Sequence, residues 1–156
     1  MIEHQIPGRG SIQLQHLVCD INGTLALEGQ LLPGLAAAVP RLKDRPTIHL
    51  LTADSYGSAE EIGRCLGLPV QRISDAATPD AKVAYVDSLG AEGVVAISQS
   101  ANDAGLLAMA PIGIAVLSQE GLSRAALQAA DLLVPDIMSA LELLERPLRM
   151  VASLRR

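Results

Sequence analysis

The sequence predicts an α/β fold, a doubly wound (Rossmann-like), mostly parallel sheet with helices on both faces, and three observations carry that prediction. Short runs rich in Val, Ile and Leu alternate with helical stretches, the pattern of βα units whose strands are covered on both sides. Polar clusters stand directly after several of these runs, where open α/β sheets gather their functional groups. The 156 residues suffice for one domain with a proper core, and no repeat, low-complexity stretch or linker divides them. Residues 1–156 are therefore expected to form a single domain.

The first expected strand covers 2–6 and is followed by the turn Pro7-Gly8-Arg9-Gly10. A strand of alternating character over 11–19 completes an N-terminal β-hairpin that feeds directly into Asp20. After Asp20-Ile21-Asn22-Gly23-Thr24, residues 25–32 read as a second, short hairpin turning at Glu28-Gly29 and closed by Pro33-Gly34, a flap beside Asp20. Then come a helix over 35–43 with Pro40 as a kink, a strand over 47–51, a helix over 55–66 and a strand over 70–73. Thr78-Pro79 is a start signal for a helix over 80–89. Strand 94–97, helix 102–109, strand 114–117, helix 121–129 and strand 132–134 follow. The last segment, 135–154, places Ile137, Leu141, Leu144, Leu148, Val151 and Leu154 three or four apart, an amphipathic closing helix kinked at Pro147.

Composition excludes several partners. The balance of 12 basic and 17 acidic residues, with no basic run beyond Arg155-Arg156, gives nothing to track a phosphate backbone. With no Phe, no Trp and only Tyr56 and Tyr85, platforms for stacking bases are also lacking, so nucleic acid is not an expected partner. The longest apolar run, 106–117, is broken by Pro111 and Gly113 and is about half the roughly 20 residues of a membrane span. No export signal is read at the start, and the cytoplasm is the expected location. Cys19 and Cys65 have neither metal-ligand nor disulfide spacing and read as small core residues. His4, His16 and His49 have no partner at ligand spacing and read as structural, and Met109, Met138 and Met150 read as core filler.

Four clusters can carry chemistry. In the first, an apolar run ends in Asp20 and turns at once through Asn22-Gly23, which delivers a carboxylate to the sheet edge as a candidate nucleophile. Asn22 stands two residues on, where a second acid is the natural proton-transfer partner. In the second, a strand ends in Thr52-Ala53-Asp54, where the Thr52 hydroxyl can hydrogen-bond a phosphoryl oxygen and Asp54 serves equally as a cap for the helix that follows. The third is Lys82, one of two lysines against ten arginines, a point charge on a flexible stem or else a solvated helix residue. The fourth is Ser98-Gln99-Ser100-Ala101-Asn102-Asp103, whose Asp103 can take Mg²⁺ through oxygen or charge the first turn of its helix.

Together these residues resemble the haloacid dehalogenase-like (HAD) phosphotransferases and phosphatases, and among them the phosphorylation domain of the P-type ATPases. Asp20-Ile21-Asn22-Gly23-Thr24 is similar to Asp-x-Asp-Gly-Thr or Asp-Lys-Thr-Gly-Thr, and Thr52-Ala53-Asp54 to Thr-Gly-Asp. Residues 98–104 resemble Gly-Asp-Gly-x-Asn-Asp-x, and Ala130-Asp131-Leu132-Leu133-Val134-Pro135 the pumps' last strand and its exit. The resemblance implies a Mg²⁺-dependent phosphatase in which Asp20 forms an aspartyl phosphate. It implies catalytic roles for Asp20, Asn22, Thr52 and Lys82, and phosphate binding by Gly23, Thr52, Ala53, Lys82 and Asn102. Mg²⁺ would be held by Asp20, the Asn22 carbonyl, Gln99 and Asp103.

The chain departs from that pattern twice. Asn22 stands where phosphatases carry an acid; an amide donates a hydrogen bond but shuttles no proton, which puts about 10²–10⁴-fold of rate at stake. Gln99 stands where a metal-binding aspartate is expected, so metal affinity should fall. Only 31 residues separate Asp20 from Thr52, and the gap from Thr52 to Lys82 is similarly short, so no cap domain fits. The expected substrate is a phosphorylated small molecule or phosphoprotein, with a neighbouring subunit of a homo-oligomer covering the open site. Two other outcomes are a catalytically inactive binding or oligomerisation module and phosphoryl transfer to an acceptor other than water.

Overall fold

The computed structural model describes residues 1–42, 45–53, 57–73 and 79–156. Lys43, Asp54, Ser55 and Thr78 lie outside the described residues. The chain opens with an antiparallel hairpin of β1 (Ile2–Ile6) and β2 (Gly10–Leu14), Ile2 opposite Leu14. The strand expected over 11–19 is in fact two, because β3 (His16–Asp20) belongs to a different sheet. The break falls at Gln15, whose N–H donates to the Gly93 carbonyl (2.7 Å) and whose carbonyl accepts from Thr47 N (2.8 Å). Alternation stops there, at the polar pair Gln15-His16, and gives way to the unbroken apolar run Leu17-Val18-Cys19.

A small flap follows, β4 (Ala26–Leu27) and β5 (Gln30–Leu31), turning where expected at Glu28 and Gly29. Both turn residues have positive φ (51° and 79°), as a tight hairpin with the right twist needs. The rest of the chain alternates α1 (Leu35–Leu42), β6 (Thr47–Thr52), α2 (Ala59–Leu66), β7 (Val70–Arg72), α3 (Pro79–Ser88), β8 (Val94–Ser98), α4 (Ala104–Met109), β9 (Ile112–Val116), α5 (Arg124–Ala129) and β10 (Leu132–Val134). Two helices close it, α6 (Ile137–Glu145) and α7 (Pro147–Leu154). The expected closing helix is divided because Pro147 begins a new helix, where its missing N–H costs nothing, rather than kinking an old one. Three other helices start later than expected: α2 at Ala59, α4 at Ala104, and α5 at Arg124, because Ser123 caps it by accepting from Ala126 N (3.0 Å).

Six strands form one parallel sheet in the order β10-β9-β8-β3-β6-β7. Alternate residues of the central strands divide the core in two. Leu17, Cys19, Val95 and Ile97 pack with α1, α2, α6, α7 and the N-terminal hairpin, while Val18, Val94 and Ala96 pack with α3, α4 and α5. Each buried Val, Leu or Ile among them contributes about 1.5–3 kcal/mol relative to exposure. Every residue of β8 and β9 is buried, which is why these strands read as unbroken apolar runs. Among the described residues, no helix is long and apolar enough to cross a membrane.

Two residue readings are corrected. Cys19 is buried, but Cys65 is exposed on α2. His16 and His49 do have partners: His16 Nδ1 lies 3.0 Å from His49 Nε2, and His49 Nδ1 lies 2.9 Å from the Tyr85 hydroxyl on α3. Parallel pairing of β3 and β6 creates that contact between residues 33 apart in the chain.

Candidate functional site

The sheet order explains where a site can form. From β3 the chain builds β6 and β7 on one side, then returns to build β8, β9 and β10 on the other. The exits of β3 and β8 therefore diverge, and the crevice between them at the carboxyl edge is the topological switch point. Asp20 ends β3, Thr52 ends β6 and Ser98 ends β8. The register pairs Cys19 with both Leu50 and Ile97, so Asp20 and Ser98 sit at the same level of the edge.

The loop after Asp20 is fixed by its own backbone. The Ile21 carbonyl accepts from the N–H groups of Thr24, Leu25 and Ala26 (3.2, 2.9 and 3.0 Å), and Gly23 N donates to the Ala26 carbonyl at 2.7 Å. Gly23 takes φ +80°, and a Cβ there would sit 2.1 Å from Gln99 Nε2 and 2.6 Å from Glu120 Oε2. Only glycine allows both this turn and that approach. Asn22 Nδ2 donates to Thr52 Oγ1 (3.3 Å), joining the first two predicted clusters.

The charged residues form a triad of two buried carboxylates and a partly buried ammonium. Lys82 Nζ donates to Asp20 Oδ1 at 3.1 Å and lies 2.9 Å from Asp103 Oδ1. Asp103 is wholly buried, and its Oδ2 accepts from Ser98 Oγ at 2.6 Å. Among the described residues, its Oδ1 is held by the ion pair with Lys82. Burial pushes the Asp20 carboxyl up to about 6, with the Asp103 charge adding to the rise and Lys82 opposing it. For Lys82, burial works against the charge, but Asp20 and Asp103 outweigh it and raise its pKa. The third cluster is therefore no solvated helix lysine: α3 brings Lys82 over the sheet edge between the two carboxylates.

Gln99, the residue after β8, bridges to the same loop. Its Oε1 accepts from Thr24 Oγ1 at 2.6 Å, and its Nε2 donates to the Asn22 carbonyl at 3.4 Å. Ala53 follows Thr52 and is exposed, as is Asn102, on a single 3-10 turn over Ala101–Asp103 that precedes α4 where a longer helix was expected. The structure thus gathers Asp20, Asn22, Gly23, Thr52, Lys82, Gln99 and Asp103, while Ala53 and Asn102 stand at the exposed margin. Among the described residues, no group of three or more His, Cys, Asp or Glu is arranged to hold a metal ion.

One neighbour was missed by sequence reasoning. Glu120 brings its carboxylate against Gly23 from the loop after β9. Ser118-Gln119-Glu120 is a polar cluster after a strand, the same signal that marked three of the other four. Beyond Gly23 and Thr24, a cleft of about 330 Å³ runs under the flap between Leu27, Leu32, Val116 and Ile137.

No protein-family model matches the chain. Over 125 residues it is 37% identical to "Probable cation-transporting P-type ATPase J" of Mycobacterium tuberculosis, in strains CDC 1551 / Oshkosh and ATCC 25618 / H37Rv alike. The match takes in 76% of this chain, which spans only 18% of those relatives. The fold is that of 3-deoxy-D-manno-octulosonate 8-phosphate phosphatase from Moraxella catarrhalis, solved with magnesium, phosphate and its octulosonate (TM-score 0.69, 17% identity, 85% of this chain and 86% of that one). A zinc-transporting PIB-type ATPase in its E2.Pi state is similar over 80% of this chain and 20% of its own (TM-score 0.64, 26% identity). Sequence and fold together make this chain similar to P-type ATPases over 125 residues and give it the fold of the haloacid dehalogenase-like hydrolases.

Proposed function

We propose that the chain is a slow phosphoric monoester hydrolase that uses a divalent cation, Mg²⁺ in the first instance, and works through an aspartyl phosphate at Asp20. The observation that carries this reading is the Asp20–Lys82–Asp103 triad at the switch point of the sheet. An Asp20 oxygen would attack phosphorus as the bond from phosphorus to the leaving oxygen breaks. The Lys82 ammonium and Thr52 hydroxyl would orient and balance the phosphoryl oxygens. Asn22, already hydrogen-bonded to Thr52, can donate to the leaving oxygen but cannot give it a proton or take one from water. Breakdown of the phosphoenzyme is then the slow step.

The donor set fits a hard cation: carboxylate oxygens from Asp20 and Asp103, whose Oδ1 is paired among the described residues with the Lys82 ammonium, and the Asn22 carbonyl. Such a cation would supply positive charge beside the phosphoryl group. Lys82 already supplies one charge against two carboxylates, so the remaining pull on a cation is modest.

The experiment is phosphate release from a generic monoester with Mg²⁺, wild type against Asp20→Ala; equal rates would sink the reading. The substrate class supported by an uncapped edge is a phosphorylated small molecule or phosphoprotein. A second copy covering that edge is testable by sedimentation. One observation favours a non-catalytic binding module instead: Gln99 turns an amide N–H, not a carboxylate, toward the Asn22 carbonyl. Titration with beryllofluoride, a mimic of aspartyl phosphate, separates the two, since a mere module binds none.

A further inference from the structure

The carboxamide of Gln99 touches three consecutive residues of the nucleophile loop. It accepts from the Thr24 hydroxyl at 2.6 Å, donates to the Asn22 carbonyl at 3.4 Å, and fills the space a Gly23 side chain would need. The orientation follows from chemistry, since a carbonyl only accepts and the nitrogen must face it. A carboxylate at position 99 cannot make this pattern. It would accept from Thr24 but oppose its own negative oxygen to the Asn22 carbonyl, and only a cation between the two would reconcile them. One neutral amide satisfies both ends without any ion.

We propose that Gln99 is a positioning residue that stands in for a bound cation on this loop. Its amide holds residues 22–24 to the end of β8, so the loop around Asp20 is set without metal. A divalent cation reaches the Asn22 carbonyl only by displacing the Gln99 N–H. The inference rests on reading this edge as a phosphoryl site with a cation subsite. It makes the metal a weakly held, exchangeable visitor and the amide the resident group.

The test uses hydrogen exchange at the Gly23 and Thr24 amides, which donate to the Ala26 and Ile21 carbonyls and so report loop closure. It is paired with Mn²⁺ binding followed by electron paramagnetic resonance. In wild type, exchange at both amides is expected to be slow and the same, within about twofold, with or without Mg²⁺. In Gln99→Asp it should speed up about tenfold or more without Mg²⁺ and return to the wild-type rate with it, while the Mn²⁺ midpoint falls by about 10- to 100-fold. Gln99→Leu should exchange fast in both conditions. A Gln99→Asp protein that folds only with Mg²⁺ gives the same answer, and if it folds in neither condition Gln99→Leu decides.

Wild-type exchange that slows markedly on adding Mg²⁺, or a Gln99→Asp variant that takes up Mn²⁺ no better than wild type, overturns the proposal. Phosphate release is scored separately. A metal-independent loop with no turnover defeats only the hydrolase reading, and turnover with a metal-ordered loop defeats only this one.

Discussion

Two polar networks occupy opposite ends of one strand and successive positions on one face of a helix. At the carboxyl end of β3, Asp20 meets Lys82 of α3 and, through it, Asp103. At the amino end, His16 meets His49, which meets Tyr85, three residues beyond Lys82 on α3. The first network is charged, largely buried and unbalanced, with two carboxylates to one ammonium. The second is a chain of groups each able to donate or accept while neutral, and burial first, then repulsion from His16 whenever that ring is charged, holds His49 below its ordinary pKa. The difference teaches what each is for. A charge imbalance held out of water is expensive unless a ligand completes it, whereas a neutral hydrogen-bonded chain is already complete.

The strongest way to break this comparison is to remove Asp20. Asp20→Asn should lower phosphate release by at least about 10³-fold and at the same time raise stability at pH 7. The sign follows from the raised carboxyl. A folded pKa of about 6 against an ordinary 3.8 means the native state takes up its proton first, so wild type loses stability as pH rises between those values. Asn spares that loss, on the order of 1–3 kcal/mol, measurable by urea melts at pH 5 and 8. Wild-type kcat/KM should fall as pH drops below about 6, where Asp20 takes up a proton. A profile flat to pH 4 would separate the nucleophile from this carboxyl.

Removing the ammonium tests the imbalance from the other side. Lys82→Met leaves Asp20 and Asp103 facing each other, and should cost about 3–5 kcal/mol at pH 8. The deficit should shrink toward pH 5 as one carboxyl becomes protonated, so melts at the two pH values must diverge. Asn22→Asp should then raise turnover by about 10²-fold, by supplying the proton shuttle the site lacks. An unchanged rate would locate the slow step elsewhere. The smallest effect belongs to the neutral chain: Tyr85→Phe should cost about 1 kcal/mol in thermal melts and leave turnover unchanged. If turnover changed, α3 would have to couple the two networks through Lys82.

The charged network was largely legible in the sequence because each member follows an apolar run or opens a helix at motif spacing. Asp20, Thr52 and Gln99 sit at strand exits, and Lys82 at the start of α3. The histidine chain was invisible, since nothing local marks His16 and His49 as neighbours. Their contact exists only because β3 and β6 pair in one particular register. Glu120 lay between these cases: its position after β9 carried the right signal, but only the fold brings that loop against Gly23.

By itself, then, the sequence determined the alternation of strands and helices, the chemistry available at each strand exit, and the two amides that stand where acids were expected. These are local properties, set by periodicity, turn residues and side-chain type. Only the tertiary structure decided that β3 ends at a switch point, that Lys82 lies between two buried carboxylates, and that Gln99 spans residues 22–24. Such facts depend on strand order and register, which arise from packing two core layers against one sheet and leave no mark on any short stretch of chain.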